Sequence, residues 1–171
     1  MRSIQRLLGL CETPEDRDTS TVRRIASELD RLPPEQARYL AAFAYVLARV
    51  AHADLEISEE EVEQMEELMA DEGLSRPQAA LVVQLARYQA THFSGTEDYL
   101  VTRQFRELAT QAQSLALLRC LYRVAAAHGM ISAREDAAIR QIANELRLTP
   151  PEIAAVRVQF KDQLAELRRE G

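Results

Sequence analysis

The fold is decided by a stretch that the chain carries in two versions, RVAHADLEISEEE at residues 49–61 and RVAAAHGMISARE at residues 123–135. When the first version is shifted by 74 positions, so that Arg49 falls on Arg123, the match continues without gaps to Leu148-Thr149. Each copy predicts a buried helix, a short polar loop and a capped amphipathic helix. Neither unit can bury its apolar face alone, so the repeat predicts two equivalent units packed against each other.

Helix starts are marked by Ser or Thr followed three residues later by Glu or Gln, a pattern that satisfies backbone N–H groups at a helix N-terminus. Four such capping boxes open at Ser58, Ser75, Ser132 and Thr149. After a short N-terminal helix, apolar spacing predicts eight further helices. They run from Thr21 to Leu32, Pro34 to Ala53, Ser58 to Asp71, Arg76 to His92, Glu97 to Thr110, Ser114 to His128, Ser132 to Arg147 and Pro150 to Arg168.

Two of these helices are apolar on nearly every face, at residues 39–47 and 115–125, which predicts a buried central pair. The absence of Trp and the aromatic share of 5% favour helix over sheet. We therefore predict an all-α bundle of about seven to eight helices, with two pseudo-symmetric helix-loop-helix units around the central pair. A chain of 171 residues fits one domain, here residues 19–171, preceded by a short helix and arm at residues 1–18.

Charge and composition exclude several classes of protein. A formal net charge of −6 argues against nucleic-acid binding, which depends on clustered Lys and Arg. No uninterrupted apolar run is long enough for a transmembrane helix, and the first ten residues do not resemble a secretory leader. Cys11 and Cys120 lie far apart and outside any metal-binding spacing, so both are predicted to be reduced thiols, with Cys120 in the core. These features predict a cytoplasmic protein.

The repeated stretch resembles a known family signature. Residues 51–61 are similar to the A-x-A-D-G-x-[IV]-S-x-x-E motif of TerB-like proteins, which also occurs in the N-terminal domain of the co-chaperone DjlA, and residues 125–135 fit it again. The resemblance spans Arg38 to Val156 and implies a bundle of about seven helices with pseudo-twofold symmetry. It also implies a link to tellurite and stress resistance and a divalent-cation site at the acidic loop. Leu55 and His128 depart from the family's Gly and Asp.

Asp54 ends a buried helix, where the negative end of the helix dipole disfavours a carboxylate. Two interpretations stay open. Asp54, Glu56 and Glu61 are candidate oxygen ligands for Ca²⁺ or Mg²⁺, with His128 and Glu135 as their second-unit counterparts. Alternatively, Asp54 accepts N–H groups of its own loop as an Asx-turn, and Glu61 is used in a capping box. The spacing does not match an EF-hand.

The run from Glu56 to Glu72 contains no Lys or Arg, which predicts a strongly negative outer helix face. Its residues Glu63, Glu66 and Glu67 are a docking surface for a basic protein partner, a loose cation sink, or simply solvated. The C-terminal segment from Leu164 to Arg169 is predicted to be a solvated helix or a homodimer contact.

Catalytic signals are absent from the sequence. His52, His92 and His128 have no recognisably placed nucleophile beside them, and no Gly-rich phosphate loop is present. The sequence therefore predicts a non-enzymatic protein of the tellurite and stress resistance type, with a weak divalent-cation site at the Asp54 loop. The alternative prediction is a metal-independent interaction module, of scaffold or co-chaperone type, that uses its acidic helix face.

Overall fold

The computed structural model describes residues 27–50, 63, 66–67, 69–92, 98–127 and 129–164 of the chain. Residues 27–30 and 69–71 are helical, and the remaining helical elements follow in chain order. They are α1 (Pro34–Val50), α2 (Arg76–His92), α3 (Asp98–Leu108), α4 (Gln111–Ala126), α5 (Ala133–Glu145) and α6 (Pro150–Arg157), with a 3-10 turn at Val158–Phe160.

The all-α prediction is confirmed. Within the described residues the only β-type pairing is one isolated bridge between Ile131 and Leu164. None of the described helices has the length and apolar character needed to cross a membrane.

The predicted central pair, α1 and α4, is buried and in mutual contact. Five consecutive residues of α1, from Leu40 to Ala44, are inaccessible or nearly so, as are Leu117, Leu118 and Leu121 of α4. Helices α2 and α3 pack against α1, and α5 and α6 pack against α4. One cluster of buried side chains extends through all of these helices. This is expected if the apolar faces of the two units cover each other.

Helix α2 is more deeply buried than its mixed sequence indicates. Seven of its residues are buried, among them Val82, Val83 and the polar Gln89. Because α2 lies along α1, its Ala and Val side chains allow the two helices to approach closely. The first unit therefore contains a third core helix beside the central pair.

The internal repeat is visible in the backbone where each unit's amphipathic helix ends. In the first unit Leu74 N donates to Met69 O at 3.1 Å and Gly73 N donates to Ala70 O at 3.0 Å. These two bonds form a Schellman motif, and the same two bonds recur 74 positions later in the second unit. There Leu148 N donates to Ala143 O at 3.1 Å and Arg147 N to Asn144 O at 2.9 Å.

The two units are also joined by reciprocal ion pairs. Arg49 of α1 contacts Glu145 at the end of α5, with NH1 and Oε2 at 2.8 Å. Its repeat equivalent, Arg123 of α4, faces Asp71, the equivalent of Glu145, at 3.9 Å. Each central helix thus contributes an arginine to the acidic helix end of the other unit, which confirms the pseudo-symmetric arrangement.

Several helix boundaries differ from the predicted ones by one or two residues, and two differ by about a turn or more. Helix α4 begins at Gln111 instead of Ser114, because Thr110 and Gln113 form a capping box one turn earlier. Helix α6 ends at Arg157 instead of Arg168, and the chain turns back so that Gln163 O accepts from Ile131 N at 2.8 Å. Leu164, predicted to belong to a solvated helix, is only 1% exposed, since this turn brings it into the core.

Candidate functional site

The predicted cation loop lies outside the described residues. This applies to Asp54, Glu56 and Glu61 and to the second-unit residue His128. Within the described part of the chain, no group of three or more His, Cys, Asp or Glu side chains could hold a metal ion. The cation hypothesis therefore stays a prediction.

Glu135, the second-unit counterpart of Glu61, has a structural role. Its Oε2 accepts from the backbone N of Ser132 at 2.8 Å and from the Ser132 hydroxyl at 2.7 Å. The Ser132 Oγ in turn accepts from Glu135 N at 3.2 Å. Both halves of the predicted capping box are present, so one carboxylate oxygen of Glu135 is committed to the start of α5.

The acidic face, defined here as Glu63, Glu66, Glu67 and Asp71, is accessible. Glu63, Glu67 and Asp71 are exposed and Glu66 is half-buried. No ion pair between described residues involves Glu63, Glu66 or Glu67, and Asp71 has only the 3.9 Å contact with Arg123. Among the described residues, therefore, no cation pairs with Glu63, Glu66 or Glu67, and Asp71 is the member of the face with a cationic neighbour.

Glu72 lies directly beyond the acidic face and is neutralised from within the fold. Its side chain is 8% exposed, and its two oxygens accept from Arg119 Nε at 2.8 and 2.7 Å. The ion pair raises the pKa of Arg119, chiefly through the hydrogen bond to Glu72. Arg119 therefore keeps its charge and fixes the end of the acidic helix against α4.

A cleft of about 450 Å³ opens beside Glu72. Its described walls come from the first two turns of α1, the start of α2 and the turn before it, the end of α3 and the first turn of α4. The ring of Tyr39 forms one side and is held by stacking on Phe105, with centroids 5.3 Å apart. Burial, together with the nearby Cys120, raises the pKa of Tyr39 to about 12, so its phenol is neutral at physiological pH.

The sequence did not reveal this cleft, because it forms where helix ends that are distant in the chain meet. A partial signal was present in the boxes Ser75 to Gln78 and Thr110 to Gln113, which place a Gln at the third helical position of α2 and of α4. Both glutamines line the cleft. The corresponding residues of α5 and α6 are Glu135 and Glu152.

A buried charged cluster surrounds Asp136 in the second unit. Asp136 is 1% exposed and accepts from the Tyr122 hydroxyl at 2.8 Å and from Arg157 at 2.9 to 3.1 Å. Arg140 lies 3.2 Å away. Burial alone would raise the pKa of Asp136, but the hydrogen bonds from Arg157 and Tyr122 and the charges of the two arginines hold it below its ordinary value.

Buried Gln89 and half-buried Gln163 occupy equivalent positions in the repeat, and each has an inaccessible amide atom. Neither Oε1 nor Nε2 of Gln89 has a hydrogen-bond partner among the described residues, and the same holds for Oε1 of Gln163. Gln89 is only 2% exposed. An unpaired buried amide is costly, so these two side chains are candidates for a role other than packing.

The prediction that Cys120 is a core residue is confirmed, since its side chain is 1% exposed. Burial and the nearby Glu72 raise the pKa of the Cys120 thiol to about 12. The thiol is therefore protonated at neutral pH and a poor nucleophile.

Comparison with known proteins agrees with the architecture. The family model "Tellurite resistance protein TerB" matches residues 40–158, which is well over half of the chain. No curated protein and no solved structure is similar enough to count as a match. The matched region begins within α1 and extends past the end of α6, and it includes both Schellman motifs and both reciprocal ion pairs. With the repeated helical unit and this match, the chain belongs to the TerB family.

Proposed function

We propose that this TerB-family protein is a non-enzymatic cytoplasmic component of tellurite and stress resistance that binds a basic protein partner through its acidic face. The observation that carries the proposal is the accessibility of Glu63, Glu67 and Asp71, combined with the lack of ion-pair partners for Glu63, Glu66 and Glu67 among the described residues. A face of one charge sign accelerates association with an oppositely charged surface and selects against acidic partners.

The ion pair of Glu72 with Arg119 supports this role because it anchors the acidic helix at its C-terminal end. A docking surface held in place loses less conformational entropy on binding than a mobile one does. The buried, protonated thiol of Cys120 supports the non-enzymatic part of the proposal, since it removes one candidate nucleophile.

The test is charge reversal of Glu63, Glu66 and Glu67 to Lys, measured as binding of a lysine-rich synthetic peptide and as recovery of partners from cell extract. Because these side chains are at the surface, we expect little change in melting temperature but at least about a tenfold loss of peptide affinity. Wild-type binding should weaken with added salt.

The control reverses Glu28, Glu107 and Asp162, which are also exposed, and so changes the net charge by the same amount. This variant should bind the peptide nearly as well as the wild type. Equal losses in both variants would mean that only net charge matters, and unchanged binding by the face variant would refute the acidic face as the docking surface.

The second candidate function is weak divalent-cation binding at the Asp54 loop. It is favoured by the three carboxylates Asp54, Glu56 and Glu61 and by the family resemblance of that loop. It ranks second because Glu135, the equivalent of Glu61, uses one carboxylate oxygen to cap α5. Ca²⁺ or Mg²⁺ at a hundred times its dissociation constant should stabilise the protein by about 2.7 kcal/mol. Asp54→Ala should remove that gain, and the absence of any gain in the wild type would exclude the site.

A further inference from the structure

The cleft beside Glu72 is a direct continuation of the acidic face. Asp71 belongs to that face, and the next residue, Glu72, lines the cleft together with Gly73 and Leu74. A partner that lies along the acidic face would therefore reach the mouth of the cleft at the end of the acidic helix. The volume of about 450 Å³ is in the range of pockets that bind small molecules, and it leaves room for one long side chain.

The charges at the cleft favour a cation over an anion. Glu35, in the first turn of α1, is exposed, and no described residue forms an ion pair with it. The carboxylate of Glu72 is already neutralised by Arg119, and no Lys or Arg is among the described residues that line the cleft. An anion would meet Glu35 without a compensating positive side chain, whereas a cation would gain a partner.

The remaining polar groups of the cleft suit a peptide main chain. Gln78 Oε1 accepts from Ser75 N at 2.9 Å, and Gln113 Oε1 accepts from Thr110 N at 2.8 Å. These bonds fix both amides by their oxygen atoms. No hydrogen bond between described residues uses either Nε2, so the N–H groups of both amides can donate to an acceptor such as a peptide carbonyl.

The apolar part of the lining suits a long aliphatic stem. Leu40 and Leu74 are 1% and 7% exposed and lie at the cleft with Leu108. Lys and Arg bury their methylene groups against such surfaces while the charged end stays at the rim.

We propose that this cleft is the anchor pocket for one lysine or arginine side chain of the basic partner. The stem lies against Leu40, Leu74 and Leu108, the cationic end pairs with Glu35, and the flanking carbonyls accept from Gln78 and Gln113. The inference rests on the proposed function, because it assumes a basic partner. It assigns one specific contact of that partner, the ion pair with Glu35, to the cleft and not to the acidic face.

The experiment is calorimetric titration of the intact protein with two blocked peptides, each with two Lys residues on either side of a short Ala segment. In one peptide the central residue is Arg, and in the other it is norleucine, which keeps the stem and removes the charge. We expect the Arg peptide to bind about tenfold more tightly to the wild type. Glu35→Gln should abolish this difference between peptides, and Asp162→Asn, with the same change in net charge away from the cleft, should preserve it.

A Glu35→Gln variant that still prefers the Arg peptide by the wild-type factor would overturn the anchor pocket. Because Glu35 is exposed, this variant is expected to fold, and its circular dichroism is compared with that of the wild type. Failure of the two proposals can be distinguished. If reversal of the acidic face abolishes binding of both peptides while Glu35→Gln changes nothing, the docking surface stands and only the anchor pocket is wrong. If the wild type binds neither peptide, both are wrong.

Discussion

Replacing Arg147 by Gly should stabilise the protein, even though Arg147 is exposed and the change removes a charged side chain. Arg147 ends the amphipathic helix of the second unit with a φ of 58°, in the left-handed region. Its first-unit equivalent, Gly73, has a φ of 99° and makes the same Schellman hydrogen bond. The repeat thus places a residue with a Cβ where the other unit uses the residue best suited to that conformation.

The magnitude follows from two opposing contributions. A residue other than Gly in the left-handed conformation costs roughly 1–2 kcal/mol. Relief of this strain is partly offset by roughly 0.5–1 kcal/mol, because the introduced Gly has more conformational freedom to lose on folding than Arg has. The net expectation for Arg147→Gly is a gain of about 0.5–1 kcal/mol. The reverse change, Gly73→Ala, should cost about 1 kcal/mol from the backbone alone, since a Cβ at Gly73 would meet no atom within 4 Å.

Urea denaturation followed by circular dichroism measures the effect. With a slope of about 2 kcal/mol per molar urea, Arg147→Gly should raise the midpoint by roughly 0.3–0.5 M. The control is Arg147→Ala, which removes the same side chain but keeps the Cβ and should remain near the wild type. If the Ala and Gly variants were equally stable, the gain would come from the lost charge and the backbone argument would be refuted.

Two further changes test the buried polar groups. Asp136→Asn removes the partner of Arg157 and should destabilise the protein by about 2–3 kcal/mol at pH 7. The pKa of Asp136 is lowered in the folded protein, so its carboxylate stabilises the fold at every pH above the ordinary pKa of an aspartate. This stabilisation is lost as the pH falls through the pKa that Asp136 has in the folded state. The difference in urea midpoint between the variant and the wild type should therefore shrink below about pH 4. A difference that is constant with pH would contradict the assignment. Gln89→Met removes an amide whose polar atoms have no hydrogen-bond partner among the described residues. It should therefore raise the free energy of unfolding by about 1–2 kcal/mol. A loss of stability would mean that the amide of Gln89 is hydrogen-bonded.

The parts of the fold that sequence alone predicted are those encoded locally. The match of Arg49 with Arg123 identified two units, and the residues flanking each helix predicted the caps at Ser132 and Thr149. The continuous apolar runs identified the central pair, because a helix without a polar face has to be buried. The caps and the apolar runs lie within a few residues of the features that they predict, and the repeat is visible because the same local pattern recurs 74 positions later.

The features that sequence reasoning missed depend on contacts between distant residues. Asp136 falls in the polar first turn of α5, where a solvated position is the ordinary expectation, and its burial depends on Arg157, 21 residues later. The early end of α6 has a similar cause, because the hydrogen bond from Ile131 N holds Gln163 in a turn. Apolar periodicity contains no information about such pairings.

The candidate site was predicted only in part. The accessible acidic face was anticipated from the absence of Lys and Arg between Glu56 and Glu72, since charge of one sign is visible in composition. The cleft was not, because Glu35, Gln78 and Gln113 come from three separate helices that only the tertiary fold brings together.

The reciprocal ion pairs have a consequence for the symmetry of the fold. Arg49 contacts Glu145 while Arg123 faces Asp71, so each unit offers the other the same two kinds of side chain at corresponding positions. This is the contact pattern of a twofold homodimer, in which a residue on one subunit meets its complement on the other and the reverse contact follows from symmetry. The protein therefore contains within one polypeptide a pseudo-twofold contact of the kind that two identical subunits would make. The two units are not equivalent everywhere, because Asp136, Arg140 and Arg157 correspond to Val62, Glu66 and Val83 in the first unit, so the buried charged cluster belongs to the second unit alone.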